Sequence, residues 1–286
     1  MFLPAKKILQ DALKNGYAVG AFNTSNLETT QAIVNAAAVK KSPLIINISE
    51  SAIKYAGLLA IISLIKLVAE QGQAKNLPIA IQLDHGKNFD KFPLFIKAGF
   101  TSIMIDASRM PYAENASLTK KTVELARKSG VSVQAELGAV PYADEESGFV
   151  SWGKIMTDPN LAKKFVEETK VDSLAVAIGN AHGFFKERSD LDFERLRKIS
   201  KLAKVPLVLH GASDFPADRI KEAIEGGVAS FHIDTSLRVA FTEGIREFLA
   251  ENPAEYDPRL ILGYGRQKVQ KEIEGKIEIF GSTGKG

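Results

Sequence analysis

The chain has 286 residues, 45% hydrophobic and 25% charged, with a net charge of +3 and no cysteine. This is an ordinary globular composition. It excludes disulfides, thiolate metal sites and a cysteine nucleophile, so any metal must sit on histidine and carboxylate.

Strand-like and helix-like stretches alternate from end to end. Residues 17–23 read as a first strand, with Gly16 before it and Thr24 or Ser25 placed to cap a helix carrying Ala32, Ile33, Ala36 and Ala37 at helical spacing. Further strands are expected at 44–49, 79–84, 102–108, 131–137, 173–178, 206–209 and 229–233. Helices are expected at 58–73, 90–98, 113–129, 160–169, 193–203, 216–225 and 237–250, with one more at 265–274. Gly130 suits a helix C-cap, and Gly226-Gly227 a helix stop. Residues 138–154 form a long connection with three consecutive acids, Asp144-Glu145-Glu146. Such long loops are usually functional.

Eight strands alternating with eight helices predict a (β/α)8 barrel with an additional C-terminal helix, as one domain over residues 1–286. An open doubly wound sheet would need fewer strands, and no G-x-G-x-x-G opens the first helix. The longest apolar run, from Ala56 to Ile65, is broken by Ser63 and too short to span a bilayer. The first residues precede no signal-peptide core. The expected location is cytoplasmic, with neither membrane nor nucleic acid as partner, and the mildly basic balance suits a small anionic substrate.

Within this pattern the stretch Ile81-Gln82-Leu83-Asp84-His85-Gly86 runs from a buried strand straight into an acid, an imidazole and a glycine. Neighbouring strand side chains face opposite ways. Asp84 and His85 therefore serve one site only if the strand ends there and the chain turns, which Gly86 permits. The chain has four histidines, His85, His182, His210 and His232, and all lie at or near a predicted strand end. In a barrel those ends converge on one face. Three neutral imidazoles with an open fourth position make a catalytic zinc arrangement. Gly183, Gly211, Ser213 and Thr235 after the last strands suit phosphate held by backbone N–H groups and hydroxyls, and Lys186 is placed to add charge. A phosphorylated substrate that chelates the metal follows.

Asp84-His85-Gly86, Ala135-Glu136-Leu137-Gly138, His182-Gly183 with Lys186, His210-Gly211-Ala212-Ser213 and Ile233-Asp234-Thr235 resemble, in order and spacing, the motifs of the zinc-dependent class II fructose-bisphosphate aldolases, including the tagatose-bisphosphate aldolases. The resemblance runs from Gly20-Ala21-Phe22-Asn23 to the Phe280-Gly281-Ser282 ending. It implies zinc on His85, His182 and His210, polarising the ketose carbonyl and stabilising the enediolate left by carbon–carbon cleavage. It implies Asp84 as the base at the hydroxyl of the departing aldehyde. Asp106 and Glu136 would flank a second, outer metal position, and a monovalent cation could assist. Gly183, Lys186, Gly211, Ser213, Asp234 and Thr235 would hold the phosphate of dihydroxyacetone phosphate, while Asn23 and Ser49 line the cleft. Arg259 resembles an arginine that reaches a neighbouring subunit's site for the second phosphate, implying a homodimer or homotetramer.

Two positions depart from the family pattern. His232 stands where the family has a substrate-contacting asparagine, and it could alter substrate choice, slow the reaction or offer a fourth metal ligand. Pro141-Tyr142 replace a Gly-Gly pair in the loop after the fifth strand, leaving Asp144 or Glu145 to move the proton at the enediolate carbon. The leading expectation is a fructose 1,6-bisphosphate aldolase, with the tagatose epimer as its nearest rival. A zinc-binding member with impaired turnover is a further reading. A barrel metallohydrolase is disfavoured by the lack of histidine in the first strand. A Schiff-base aldolase is disfavoured by the lack of lysine in any strand core.

Overall fold

A computed structural model describes residues 2–142, 152–183 and 190–286. Eight parallel strands close into a barrel in sequence order: β1 (Val19–Asn23), β2 (Leu44–Ser49), β3 (Ile79–Gly86), β4 (Ser102–Ile105), β5 (Ser132–Leu137), β6 (Ser173–Val176), β7 (Leu207–Leu209) and β8 (Val228–Ile233). β1 closes the barrel on β8, with Ala21 opposite His232. This is the (β/α)8 architecture anticipated from the alternation.

The helices are α1 (Ala5–Asn15), α2 (Leu27–Lys40), α3 (Glu50–Ala56), α4 (Leu58–Ala69), α5 (Phe92–Ala98), α6 (Tyr112–Arg127), α7 (Trp152–Ile155), α8 (Pro159–Thr169), α9 (Phe193–Ala203), α10 (Ala217–Glu225), α11 (Thr235–Glu251) and α12 (Pro258–Ile279). Local chemistry sets their ends. Asn26, rather than Thr24 or Ser25, caps α2 by accepting from Thr29 N–H. Asp158 and Asp257 cap α8 and α12, each followed by proline in the first turn.

Several elements differ from the sequence expectation, the helices most. α1 was not anticipated, although Pro4 and a left-handed Gly16 bracket it. The helix expected at 58–73 ends at Ala69 and is preceded by α3, from which Gly57 at φ 84° turns the chain by 93°. α12 spans 22 residues, well beyond 265–274. Its buried Gly265 and Gly244 of α11 let the two helices approach closely: a Cβ on Gly265 would lie 3.0 Å from Phe241. Among the described residues no single helix is long and apolar enough to cross a membrane.

The apolar interior has two parts. Between strands and outer helices, side chains such as Phe22, Ile46, Ile81, Leu174 and Phe231 form one continuous core. Inside the barrel, Val19, Ala21, Ile45, Ala80, Ala175, Val208 and Ala229 make a layer of mostly small side chains. Onto it α1 inserts Ala5, Ile8, Leu9 and Ala12, plugging the N-terminal end. Above that layer the barrel interior turns polar, with Asn47, Gln82, Ser102 and Gln134 all buried. The site stands on this polar floor.

Candidate metal-binding active site

Asp84 and His85 reach one site by an unanticipated route. β3 does not end at Asp84 but continues through Gly86, with a register irregularity against β4 between Leu83 and Gly86. His85 itself takes the left-handed conformation, at φ 49°. A non-glycine residue there is held by its surroundings. The turn places both side chains at the barrel mouth. Gly86 contributes by close packing: a Cβ would lie 2.6 Å from Leu83 and 2.9 Å from the Met104 carbonyl.

His85, His182 and His210 each bring one ring nitrogen within 4.8 Å of the others. His210 Nδ1 lies 3.1 Å from His85 Nε2, and the His85 and His182 rings meet edge-on at 5.1 Å. His85 Nδ1 pairs with Asp106 Oδ2 at 2.8 Å, which leaves Nε2 facing the cluster. His182 Nε2 and Glu136 Oε2 are buried with no hydrogen-bond partner among the described residues. Buried acceptors without a hydrogen bond beside three converging imidazoles suit a divalent cation, which takes up their lone pairs.

Electrostatics agree with that chemistry. Burial, and then the His85 charge, push the His182 imidazole down to about 3, and burial and the neighbouring histidines hold His210 well below its ordinary value. Both rings are neutral, as ligands must be. His85 differs: burial disfavours its charge, but the Asp84 charge and the Asp106 hydrogen bond outweigh it and raise the ring to about 9. Burial raises Glu136 to about 7. Burial also opposes the Asp106 charge, yet the His85 hydrogen bond takes Asp106 down to about 2. Asp84 is likewise buried, but the His85 charge and hydrogen bonds from His232 and Asn23 keep it well below the usual carboxylate range. Asn23 Nδ2 donates to Asp84 Oδ2 at 2.8 Å, and His232 Nδ1 lies 3.0 Å from Asp84 Oδ1.

A cavity of about 380 Å³ opens over this cluster. Asn23, Ser49, Asp84, His85, His182, Gly183, Gly211, Ser213, His232, Asp234 and Thr235 line it, uniting most of the residues singled out from sequence. Gly211, at φ 64°, passes so close to the chain after β6 that a Cβ would lie 2.0 Å from the Ala181 carbonyl. Thr235 opens α11 and, with its N-cap Asp234, lines the cavity at that helix's start. Ser49 is partly occupied: its hydroxyl accepts from Ala52 N–H as the cap of α3 and bonds Ser51. Arg259 does not line the cavity. It lies at the start of α12, with its side chain 87% exposed and paired to Asp257. Asp144, Glu145 and Lys186 lie outside the described residues.

Sequence reasoning missed several lining groups. Lys87 and Arg238 both border the cavity, and Arg238 pairs with Asp234 at 3.6 Å. Their signal was position: Lys87 directly follows Asp84-His85-Gly86, and Arg238 stands one helical turn after Asp234. Tyr142, which stands in the departing Pro141-Tyr142 pair, stacks on His182 at 4.3 Å, while the Pro141 carbonyl accepts from His182 N–H. His232 is nearly enclosed. Its ring stacks on His210 at 4.0 Å, Nδ1 meets Asp84 and Asn47, and Nε2 meets Gln82 and Gln134.

The family model of class-II fructose-bisphosphate aldolases matches residues 4–285. The chain is 43% identical over 281 residues to a fructose-bisphosphate aldolase of Geobacillus stearothermophilus, covering 98% of this chain and 97% of that one. It is 40% identical over 308 residues to that of Thermus caldophilus, covering both chains fully at 100%. Among solved structures it resembles the YdjI aldolase from Escherichia coli K12, with a TM-score of 0.86 and 32% identity, covering 100% of this chain and 99% of that one.

Proposed function

We infer that this chain, which belongs to the class II fructose-bisphosphate aldolase family, is a lyase that cleaves fructose 1,6-bisphosphate reversibly to dihydroxyacetone phosphate and glyceraldehyde 3-phosphate. The observation that carries the reading is the convergence of His85, His182 and His210 with an unsatisfied nitrogen, beside an ionised Asp84, on the floor of the cavity. Those three imidazoles would hold zinc, and Asp106 and Glu136 border the outer position proposed for a second divalent ion. When bound, the cation supplies Lewis-acid polarisation of the ketose carbonyl.

The side chains do the rest. Asp84 accepts the proton from the hydroxyl of the departing aldehyde during cleavage and returns it in condensation. Asn23 and His232 N–H groups orient its two oxygens. Gly183, Gly211, Ser213, Asp234 and Thr235 cradle the phosphate of the three-carbon fragment, and Lys186 adds charge. Gly211 has no Cβ because the backbone must pass close to Ala181. Asp144 or Glu145 moves the proton at the carbanionic carbon. Arg259, exposed and outside the lining of its own cavity, supplies the second phosphate's partner to a neighbouring subunit in a homo-oligomer. The expected setting is the cytoplasm, in sugar-phosphate breakdown and synthesis.

The test is coupled cleavage of fructose 1,6-bisphosphate by the purified protein, before and after EDTA, with zinc restored. Activity lost on chelation and regained with zinc is expected. Cleavage of the tagatose epimer alone would reassign the substrate, and inactivity of the zinc-loaded protein on both sugars would overturn the reading.

A further inference from the structure

Gln134 stands two residues before Glu136 on β5, on the same inward face, and is 1% exposed. Its amide nitrogen lies 3.0 Å from His210 Nε2 and 3.3 Å from His232 Nε2. It does not line the cavity above the cluster, yet it links the ring of one metal-facing histidine to the ring that holds Asp84.

The nitrogen of His210 turned toward the other imidazoles is Nδ1, 3.1 Å from His85 Nε2 and 3.3 Å from Glu136 Oε2. A ligating nitrogen gives its lone pair, so the neutral ring must carry its proton on the other nitrogen, Nε2. His210 is 0% exposed, so that N–H needs a protein acceptor. The Gln134 amide is the group at hand. As it stands, it presents nitrogen and donates, which puts the His210 proton on Nδ1 instead. Turning the ring over does not resolve this, because it would put carbon Cδ2 where Nδ1 now faces His85 and Glu136. His232 is itself pinned by Asp84 and Asn47. A half-turn of the amide exchanges its oxygen and nitrogen with no change of position. Gln82 then still serves His232 Nε2, at 3.2 Å.

We propose that Gln134 is a positioning residue for the metal: its amide decides which nitrogen of His210 bears the proton, and it turns to present oxygen when the cation binds. This rests on the reading of the three imidazoles as a zinc site, and it adds a residue acting through His210 without touching metal or substrate.

The test uses the full chain, labelled with 15N-histidine; four histidines give a simple spectrum. In the zinc-loaded protein His210 is expected to coordinate through Nδ1 and carry its proton on Nε2. Coordination through Nε2 overturns the proposal. In competition with a chromophoric chelator, Gln134→Leu is expected to weaken zinc binding about 10- to 100-fold, while Gln134→Glu, an acceptor only, stays within about threefold of the parent. Equal losses in the two variants assign Gln134 a space-filling role and overturn the proposal. So does a Leu variant within about twofold of the parent. A parent that binds no zinc brings down the metal reading itself; a parent that binds beside unchanged variants brings down only this inference. If the Leu variant does not fold, the spectrum of the unaltered chain still tests the proposal, because coordination through Nε2 overturns it.

Discussion

Zinc binding should be governed by one proton, and that proton sits on His85. Asp84 and Asp106 raise the ring to about 9 against the penalty of burial. At pH 7 only about 1% of the metal-free protein then offers a free His85 lone pair, which weakens the apparent zinc affinity about 100-fold, or about 2.7 kcal/mol. His182, held down to about 3, and His210, held well below its ordinary value, have no proton to surrender in this range. The slope should therefore be one log unit of affinity per pH unit, rather than three. Glu136, raised to about 7, adds a second proton only below that pH, so the informative window runs from about 7 to 8.5. The assay is competitive zinc titration against a chelator of known pH dependence. Affinity is expected to rise about tenfold per unit through the window and to level near pH 9. A flat profile above pH 7 would refute the charge on His85. The same proton stabilises the metal-free fold. A raised histidine contributes fully below its ordinary 6.5, and the contribution is lost as pH climbs through about 9. Thermal stability of the metal-free protein should fall over that range.

Three other outcomes follow from the geometry. Asp84→Asn removes the proposed base and keeps the shape, so kcat should drop by about 10²- to 10⁴-fold while chelator competition still reports bound zinc. Gly211→Ala forces a Cβ against the Ala181 carbonyl at a left-handed φ. It should cost about 1–2 kcal/mol from the backbone alone, read as a lowered unfolding midpoint, and should weaken binding of inorganic phosphate. Leu9→Ala hollows the plug beneath the barrel, where Leu9 is 1% exposed. A loss of about 2–5 kcal/mol is expected in denaturant titration, with zinc affinity of the folded fraction unchanged.

The amino-acid sequence by itself determined the barrel and most of its mouth. Strand and helix periods are local, so eight alternations could be counted directly. In a closed parallel barrel every strand end lies on one face, so His85, His182 and His210 had to approach one another once the strands were placed. α1 was within reach too, since Pro4, Gly16 and the spacing of Ile8, Leu9 and Ala12 are helix signals. Tertiary structure decided the rest. The left-handed turn at His85 answers to β4 and the surrounding side chains, and not to a glycine at that position. The partners of His232 come from β2, β3 and β5. Asn47, Gln82 and Gln134 look in sequence like ordinary polar alternates. Only closing the barrel turns them inward together, where buried amides must find partners, and there they become the floor that holds the imidazoles.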